Sequence, residues 1–194
     1  MPRSSKWTPA RTAIVTALTV AACLGTLFIR IPIPATTGYF NVGDIFVILA
    51  GLWLGPIAGL IIGAVGPGAA DAIGYPQFIL ATVVTKGLEG FVVGLIGHRV
   101  RTDWLRVLAA TIGGAVIIVG YFVFEAFVYP ALGKSIPFFD VTTFQAAVVE
   151  IGPNTLQALV AIIVGVGLFK AINAGRPDSD DRVVSPDRSS SSSP

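Results

Sequence analysis

Residues 41–70 read NVGDIFVILAGLWLGPIAGLIIGAVGPGAA, and their reading decides the fold. Thirty residues, apolar apart from Asn41 and Asp44, suit either one long broken helix or two short ones split at Gly55-Pro56. A helix needs about 20 apolar residues to cross the hydrocarbon core of a bilayer. The other apolar runs are less ambiguous: residues 12–29, 77–97, 105–129 and 142–172. The stretch 41–70 therefore separates a five-span chain from a six-span one.

Basic residues choose between the two. They gather as Arg3, Lys6 and Arg11, then Arg99, Arg101 and Arg106, then Lys170, Arg176, Arg182 and Arg188. Six spans put all three clusters on one side, which the positive-inside rule makes cytoplasmic. Five spans would strand the middle cluster opposite one terminus. Trp7, Trp53 and Trp104 then fall at cytoplasmic helix ends, and Tyr39, Tyr75 and Tyr129 at outer ends, as interfacial belts require. The expected architecture is an all-α integral membrane protein of six helices with both termini cytoplasmic. Its expected parts are a cytoplasmic segment 1–11, a membrane domain 12–172 and a disordered cytoplasmic tail 173–194.

Composition agrees. Of 194 residues, 54% are hydrophobic and 12% charged, against about 25% charged in an ordinary soluble domain. Between Arg30 and Arg99 the only charged residues are Arg30, Asp44, Asp71, Lys86, Glu89 and Arg99. This excludes an ordinary soluble enzyme, a disordered chain and a nucleic-acid binder that neutralises many phosphates. The 22 glycines suit closely packed membrane helices. A single cysteine, Cys23, excludes an internal disulfide and a thiolate metal cluster. Val20-Ala21-Ala22-Cys23 has the form of a lipoprotein cleavage site, but apolar sequence runs on through Ile29. The tail, with Asp178, Asp180, Asp181 and the run of serines 189–193, has too little apolar surface to order itself.

Ionisable groups within spans are expensive and need a reason. Lys86 and Glu89 lie three apart on one helix, so they share a face and are expected to neutralise each other as a site or an internal ion pair. Glu150, Asn154 and Gln157 form a polar stripe at i, i+4 and i+7. Pro153 interrupts that stretch and leaves the Val149 carbonyl without its helical donor. Glu125 joins the set near the outer end of the fifth span. Asp44 begins the second span and Asp71 ends the third, both on the outer side. The polar groups thus converge on a cavity that opens outward. The connections 30–40 and 130–141 are its candidate lids, and Tyr39, Tyr75 and Tyr121 are rings for stacking on a flat ligand. A small, polar, heteroaromatic solute suits such a cavity. Small residues recur at Ala13, Ala17 and Ala21, and at Gly87, Gly90, Gly94 and Gly97. Spacing alone makes internal packing the default for both faces.

Motifs for other chemistry are missing. Gly133-Lys134-Ser135 lacks the glycine that a phosphate-binding loop needs at position 128, which is Val. No HExxH, GxSxG or CxxC occurs. His98 sits at a helix end. No catalytic residue, metal site or cofactor is expected.

Several short motifs carry a resemblance. They are Ile31-Pro32-Ile33-Pro34, Gly38-Tyr39-Phe40-Asn41-Val42-Gly43-Asp44, Leu54-Gly55-Pro56-Ile57-Ala58-Gly59, Ala70-Asp71, Gly74-Tyr75-Pro76-Gln77 and Lys86-Gly87-Leu88-Glu89-Gly90. Over about residues 10–172 the chain resembles the S components of energy-coupling factor (ECF) vitamin transporters, most of all the riboflavin-type branch. The resemblance implies a six-helix subunit that captures a vitamin or precursor from outside in the plasma membrane of a prokaryote. It implies docking on a transmembrane T component carried by two ATP-binding cassette subunits, through an Ala-xxx-Ala face that maps onto Ala13, Ala17 and Ala21. It does not choose among riboflavin, pyridoxine and hydroxymethylpyrimidine. The expected substrate-binding residues are Asn41, Asp44, Asp71, Tyr75, Lys86, Glu89, Glu125, Glu150, Asn154 and Gln157. The alternative is a stand-alone secondary transporter in which Lys86 and Glu89 relay protons.

Overall fold

The computed structural model describes residues 7–33, 36–139 and 142–174. The expected tail beyond Ala174, and Arg3 and Lys6, lie outside the described residues. Helix α1 (Pro9–Phe28) is capped by the Thr8 hydroxyl, which accepts from the Arg11 N–H at 3.2 Å, with Pro9 at the first helical position. Its 20 residues are about 30 Å long, one hydrocarbon thickness. It starts three residues before the expected span and runs on past Cys23 to Phe28. Helices α2 (Asp44–Leu54), α3 (Pro56–Gly74) and α4 (Ile79–Gly97) follow. Helix α5 (Asp103–Val123) continues through a π turn (Phe124–Val128) into the short α6 (Tyr129–Gly133), and α7 (Phe144–Ala174) completes the bundle. Five of these stretches are long and apolar enough to cross a membrane, and α2 is a shorter apolar helix.

The ambiguous stretch 41–70 folds back on itself. Gly55 has φ 91°, a backbone conformation that disfavours any side chain, and Pro56 then opens α3. A methyl at Gly59 would lie 3.1 Å from the Gly51 Cα, and one at Gly63 would lie 3.0 Å from the Val47 side chain. In one straight helix residues 51 and 59 would be about 12 Å apart. Helices α2 and α3 are therefore an antiparallel hairpin, so among the described residues the bundle has six helical segments. At 11 residues α2 is about 16 Å long and buried nearly all round, as a central helix should be.

Glycines let α4 press directly on this hairpin. A methyl on Gly90 would collide with the Gly59 carbonyl, one on Gly59 with the Gly90 carbonyl, and one on Gly63 with the Lys86 carbonyl. The glycine face of α4 is thus internal packing, as spacing suggests. Backbone cannot yield as a side chain does, so Gly90→Ala is expected to destabilise the bundle by about 1–3 kcal/mol through overpacking. A melting curve in detergent checks this; an unchanged midpoint would mean the contact relaxes freely.

Basic residues gather at one end of the bundle. Arg11 donates to the Leu54 carbonyl at 2.6 Å, His98 Nδ1 lies 3.2 Å from the Leu52 carbonyl, and Arg106 stacks 4.9 Å over the Phe169 ring. Lys170 and Asp103 pair at 2.9 Å. The starts of α1 and α5 therefore meet the ends of α2, α4 and α7, as alternating segments demand.

Three features differ from the expectation. The connection 30–40 contains a two-stranded antiparallel hairpin, β1 (Arg30–Pro32) with β2 (Tyr39–Asn41), in register Ile31↔Phe40. Strands of three residues leave no periodic signature. The fifth span is longer than expected and carries the π turn. Helix α7 passes through Pro153 without ending and reaches Ala174, two residues into the stretch expected as tail.

Candidate binding site

Two polar clusters and a roofed polar cavity lie at the end of the bundle opposite the basic residues. The first cluster is centred on Asp44, wholly buried at the start of α2, where the helix N-terminus favours a carboxylate. Lys86 Nζ lies 2.6 Å from Asp44 Oδ1, and Gln157 Nε2 donates to Asp44 Oδ2 at 2.6 Å. Gln157 Oε1 accepts from the Asn41 backbone N–H at 2.8 Å and from Asn41 Nδ2 at 3.0 Å. Asn41 Oδ1 accepts from Lys86 at 3.3 Å and from the Gly43 N–H at 3.0 Å. Hairpin, α2, α4 and α7 are thereby tied by four side chains that satisfy one another.

This corrects the Lys86–Glu89 pairing. The lysine turns to Asp44 on another helix, although Glu89 is only one turn away on its own. Glu89 is fully buried with neither carboxylate oxygen hydrogen-bonded. The i, i+3 rule brings two residues to one face; it cannot see a better partner across the bundle.

The second cluster is built on Asp71, wholly buried in the last turn of α3. Tyr39 donates to Asp71 Oδ1, and Thr82 donates to Oδ2 at 2.5 Å. The Thr82 and Tyr121 hydroxyls are 2.8 Å apart. Burial and the adjacent Asp71 carboxylate push the Tyr39 hydroxyl well above its ordinary range, so it stays protonated as the donor. Arg30 lies 4.6 Å over both the Tyr39 and Tyr75 rings and donates to the Thr26 carbonyl at 3.3 Å.

The cavity lies between these clusters. Gly38, Tyr39 and Asn41 of the hairpin form its roof, Phe78 and Thr82 line it from α4 and the turn before it, and Tyr121 and Glu125 from the fifth span. Glu150, Asn154 and Gln157 of α7 form the remaining wall. Free volume inside is about 20 Å³, room for a water molecule. The roof is latched: Glu150 accepts from the Thr36 hydroxyl, whose oxygen accepts from the Gly38 N–H at 3.1 Å, and a methyl on Gly38 would collide with the carboxylate. Entry of any larger molecule requires that loop to lift. Below, the π turn carries Glu125 inward, a common use of such turns. Thr142 pins the turn by donating to the Glu125 carbonyl at 2.8 Å.

Of the ten residues expected to bind substrate, Asn41, Glu125, Glu150, Asn154 and Gln157 line the cavity. Asp44, Asp71 and Lys86 are bonded to residues that line it, Tyr75 packs on the Tyr39 ring, and Glu89, a turn further along α4 than Lys86, is not brought to the cavity. Sequence reasoning missed Phe78 and Thr82, which carry no distinctive chemistry and are recognised only by position. Ala13 and Ala17 are exposed on α1 and Ala21 is half-buried, so this face points outward rather than into the bundle. Among the described residues no group of three His, Cys, Asp or Glu is placed to hold a metal.

A helical membrane bundle with a roofed polar cavity at one end defines a solute-binding membrane protein. A sequence model of the family "ECF-type riboflavin transporter, S component" matches residues 5–174, and the chain belongs to that family. It is thus a multi-pass, vitamin-binding membrane subunit of ECF transporters, a family of transport subunits and not enzymes. A protein of Pyrococcus woesei described as "uncharacterized protein in gap 3′ region" is 40% identical over 149 residues, covering 76% of this chain and 91% of that relative. The fold is that of the solved S component of a bacterial ECF transporter, with TM-score 0.66 at 19% identity over 85% of this chain and 96% of the other.

Proposed function

We propose that this chain captures a vitamin or vitamin precursor of riboflavin, pyridoxine or hydroxymethylpyrimidine type from outside the cell. It holds the solute in the cavity between the hairpin and α7. It then delivers the solute by docking Ala13, Ala17 and Ala21 on an ECF T component driven by two ATP-binding cassette subunits. The membrane is the plasma membrane of a prokaryote, with the basic end of the bundle and both termini in the cytoplasm. The observation that carries the reading is the position of the cavity: it is roofed by a latched loop at the end remote from the basic clusters. By the positive-inside rule that end faces outward. A proton relay in a stand-alone transporter rests on a Lys86–Glu89 pair, and Lys86 is bonded to Asp44 instead.

The test is the ligand itself. Purified protein is expected to release a small heteroaromatic compound on heating, identified by mass spectrometry. Glu150→Ala is expected to weaken binding in detergent about tenfold or more, because it removes both the latch and a polar wall. Asn154→Ala is expected to do so by a smaller factor, since a hydrogen bond contributes about 0.5–1.5 kcal/mol. No released or bound compound, or unchanged affinity in both variants, would sink the reading.

A further inference from the structure

We propose that the cavity selects a ligand with a positively charged nitrogen, a protonated amine or cationic ring nitrogen, which Glu125 receives, and that it rejects phosphorylated forms of the same compounds. The proposal rests on the reading that this cavity is the solute site, and it specifies the charge of the solute.

The charge inventory of the walls carries the argument. Two carboxylates, Glu125 and Glu150, line the cavity, and no Lys, Arg or His does so among the described residues. Residues 34–35 and 140–141, outside the described residues, include none of these in sequence. The nearest cations are engaged elsewhere. Lys86 is wholly buried and bonded to Asp44 and Asn41, and Arg30 is held by the Thr26 carbonyl and the rings of Tyr39 and Tyr75. The ionisable groups on the walls are therefore acids alone, a lining that can compensate a cation and has nothing to compensate an anion.

Glu125 marks where the charge goes. It is 4% exposed, and its Oε2 has no hydrogen-bond partner. Glu150, by contrast, is answered by the Thr36 hydroxyl of the roof. A buried carboxylate oxygen without a donor is costly to the fold. A ligand that donates a charged N–H to Glu125 removes that cost and forms a charge-assisted hydrogen bond, about twice as strong as a neutral one. Phe78 and Tyr121 also line the cavity, and aromatic rings favour a cation. A phosphate ester would bring two further negative charges against two carboxylates.

Matched probes test this on the full chain in detergent. They are pyridoxamine against pyridoxine, and 5-aminomethyl- against 5-hydroxymethyl-4-amino-2-methylpyrimidine, with riboflavin and pyridoxamine 5′-phosphate alongside, all by isothermal titration. For the scaffold that binds, the amine is expected to bind about tenfold or more tighter than the alcohol. The phosphate ester is expected not to bind. Glu125→Gln, nearly isosteric but uncharged, should bring the amine to the affinity of the alcohol, while Glu125→Asp keeps a preference. Riboflavin or an alcohol binding as tightly as any amine, or a preference untouched by Glu125→Gln, overturns the proposal but leaves the solute site standing. Should no probe bind and no compound be released on heating, both fall together.

Discussion

Lys86→Met is expected to cost the bundle about 3–5 kcal/mol, a fall of roughly 6–20 °C in melting temperature for a chain of this size. The substitution keeps the aliphatic stem and removes only the ammonium. It leaves Asp44 as a wholly buried carboxylate facing the 2.6 Å gap where Lys86 Nζ stood, with Gln157 as its remaining donor. An uncompensated buried charge is far worse than no charge at all. The double variant Lys86→Met with Asp44→Asn removes both charges and keeps an acceptor for Gln157, so it should recover more than half of the loss. Thermal unfolding in detergent, followed by light scattering or intrinsic fluorescence, measures all three proteins. A single variant that melts within about 2 °C of the native chain would show that Lys86 contributes nothing to folding. Ligand affinity should fall in the single variant too, because Asn41 and Gln157 line the cavity and take their positions from the same network.

That network also explains what the sequence could and could not disclose. The hairpin of α2 and α3 was readable because Gly55-Pro56 is a strong turn signal and the basic clusters demanded an even number of crossings. The gathering of Asp44, Asp71, Glu125 and Glu150 towards the end opposite the basic clusters followed from the same crossings. The partners of these groups did not. Asn41 and Gln157 are 116 residues apart, and Lys86 and Asp44 are 42 apart. Only helix-to-helix geometry decides which faces meet, and that depends on contacts such as Gly59 on Gly90 that spacing does not rank. Local rules therefore paired Lys86 with Glu89. The stripe Glu150, Asn154 and Gln157 was legible because one helix face is a local property. Thr82 and Phe78 were not, since a threonine or phenylalanine in a membrane helix is ordinary until its neighbours are known. The π turn under Glu125 was hidden for a similar reason: it changes which way one side chain points without changing the apolar pattern around it.

Ala13→Trp combined with Ala17→Trp is expected to reduce uptake to background while ligand affinity in detergent stays within about threefold. Residues 13, 17 and 21 recur every four, so they share a face of α1. That face is separate from the one turned inward, where Val15, Ala22, Gly25 and Thr26 are the buried residues of the helix. Ala13 and Ala17 are exposed, and the surrounding surface of α1, with Val20, Leu24 and Phe28, is apolar and open. Alanines on an open apolar face permit another helix to approach backbone to backbone, and a pair of indoles would hold it several ångströms away. The cavity lies among the hairpin, α4, the fifth span and α7, and no residue of α1 lines it. The proposed binding and docking surfaces are therefore separable, and the double variant acts on one of them. Uptake is measured in cells or proteoliposomes containing the T component and both ATP-binding cassette subunits, with co-purification of those subunits as a second readout. Loss of binding or a large drop in melting temperature would mean that these alanines pack inside the bundle after all. Full uptake with the variant would move the docking surface off α1, while retained binding with lost co-purification would assign the face to the partner and leave the cavity to the solute.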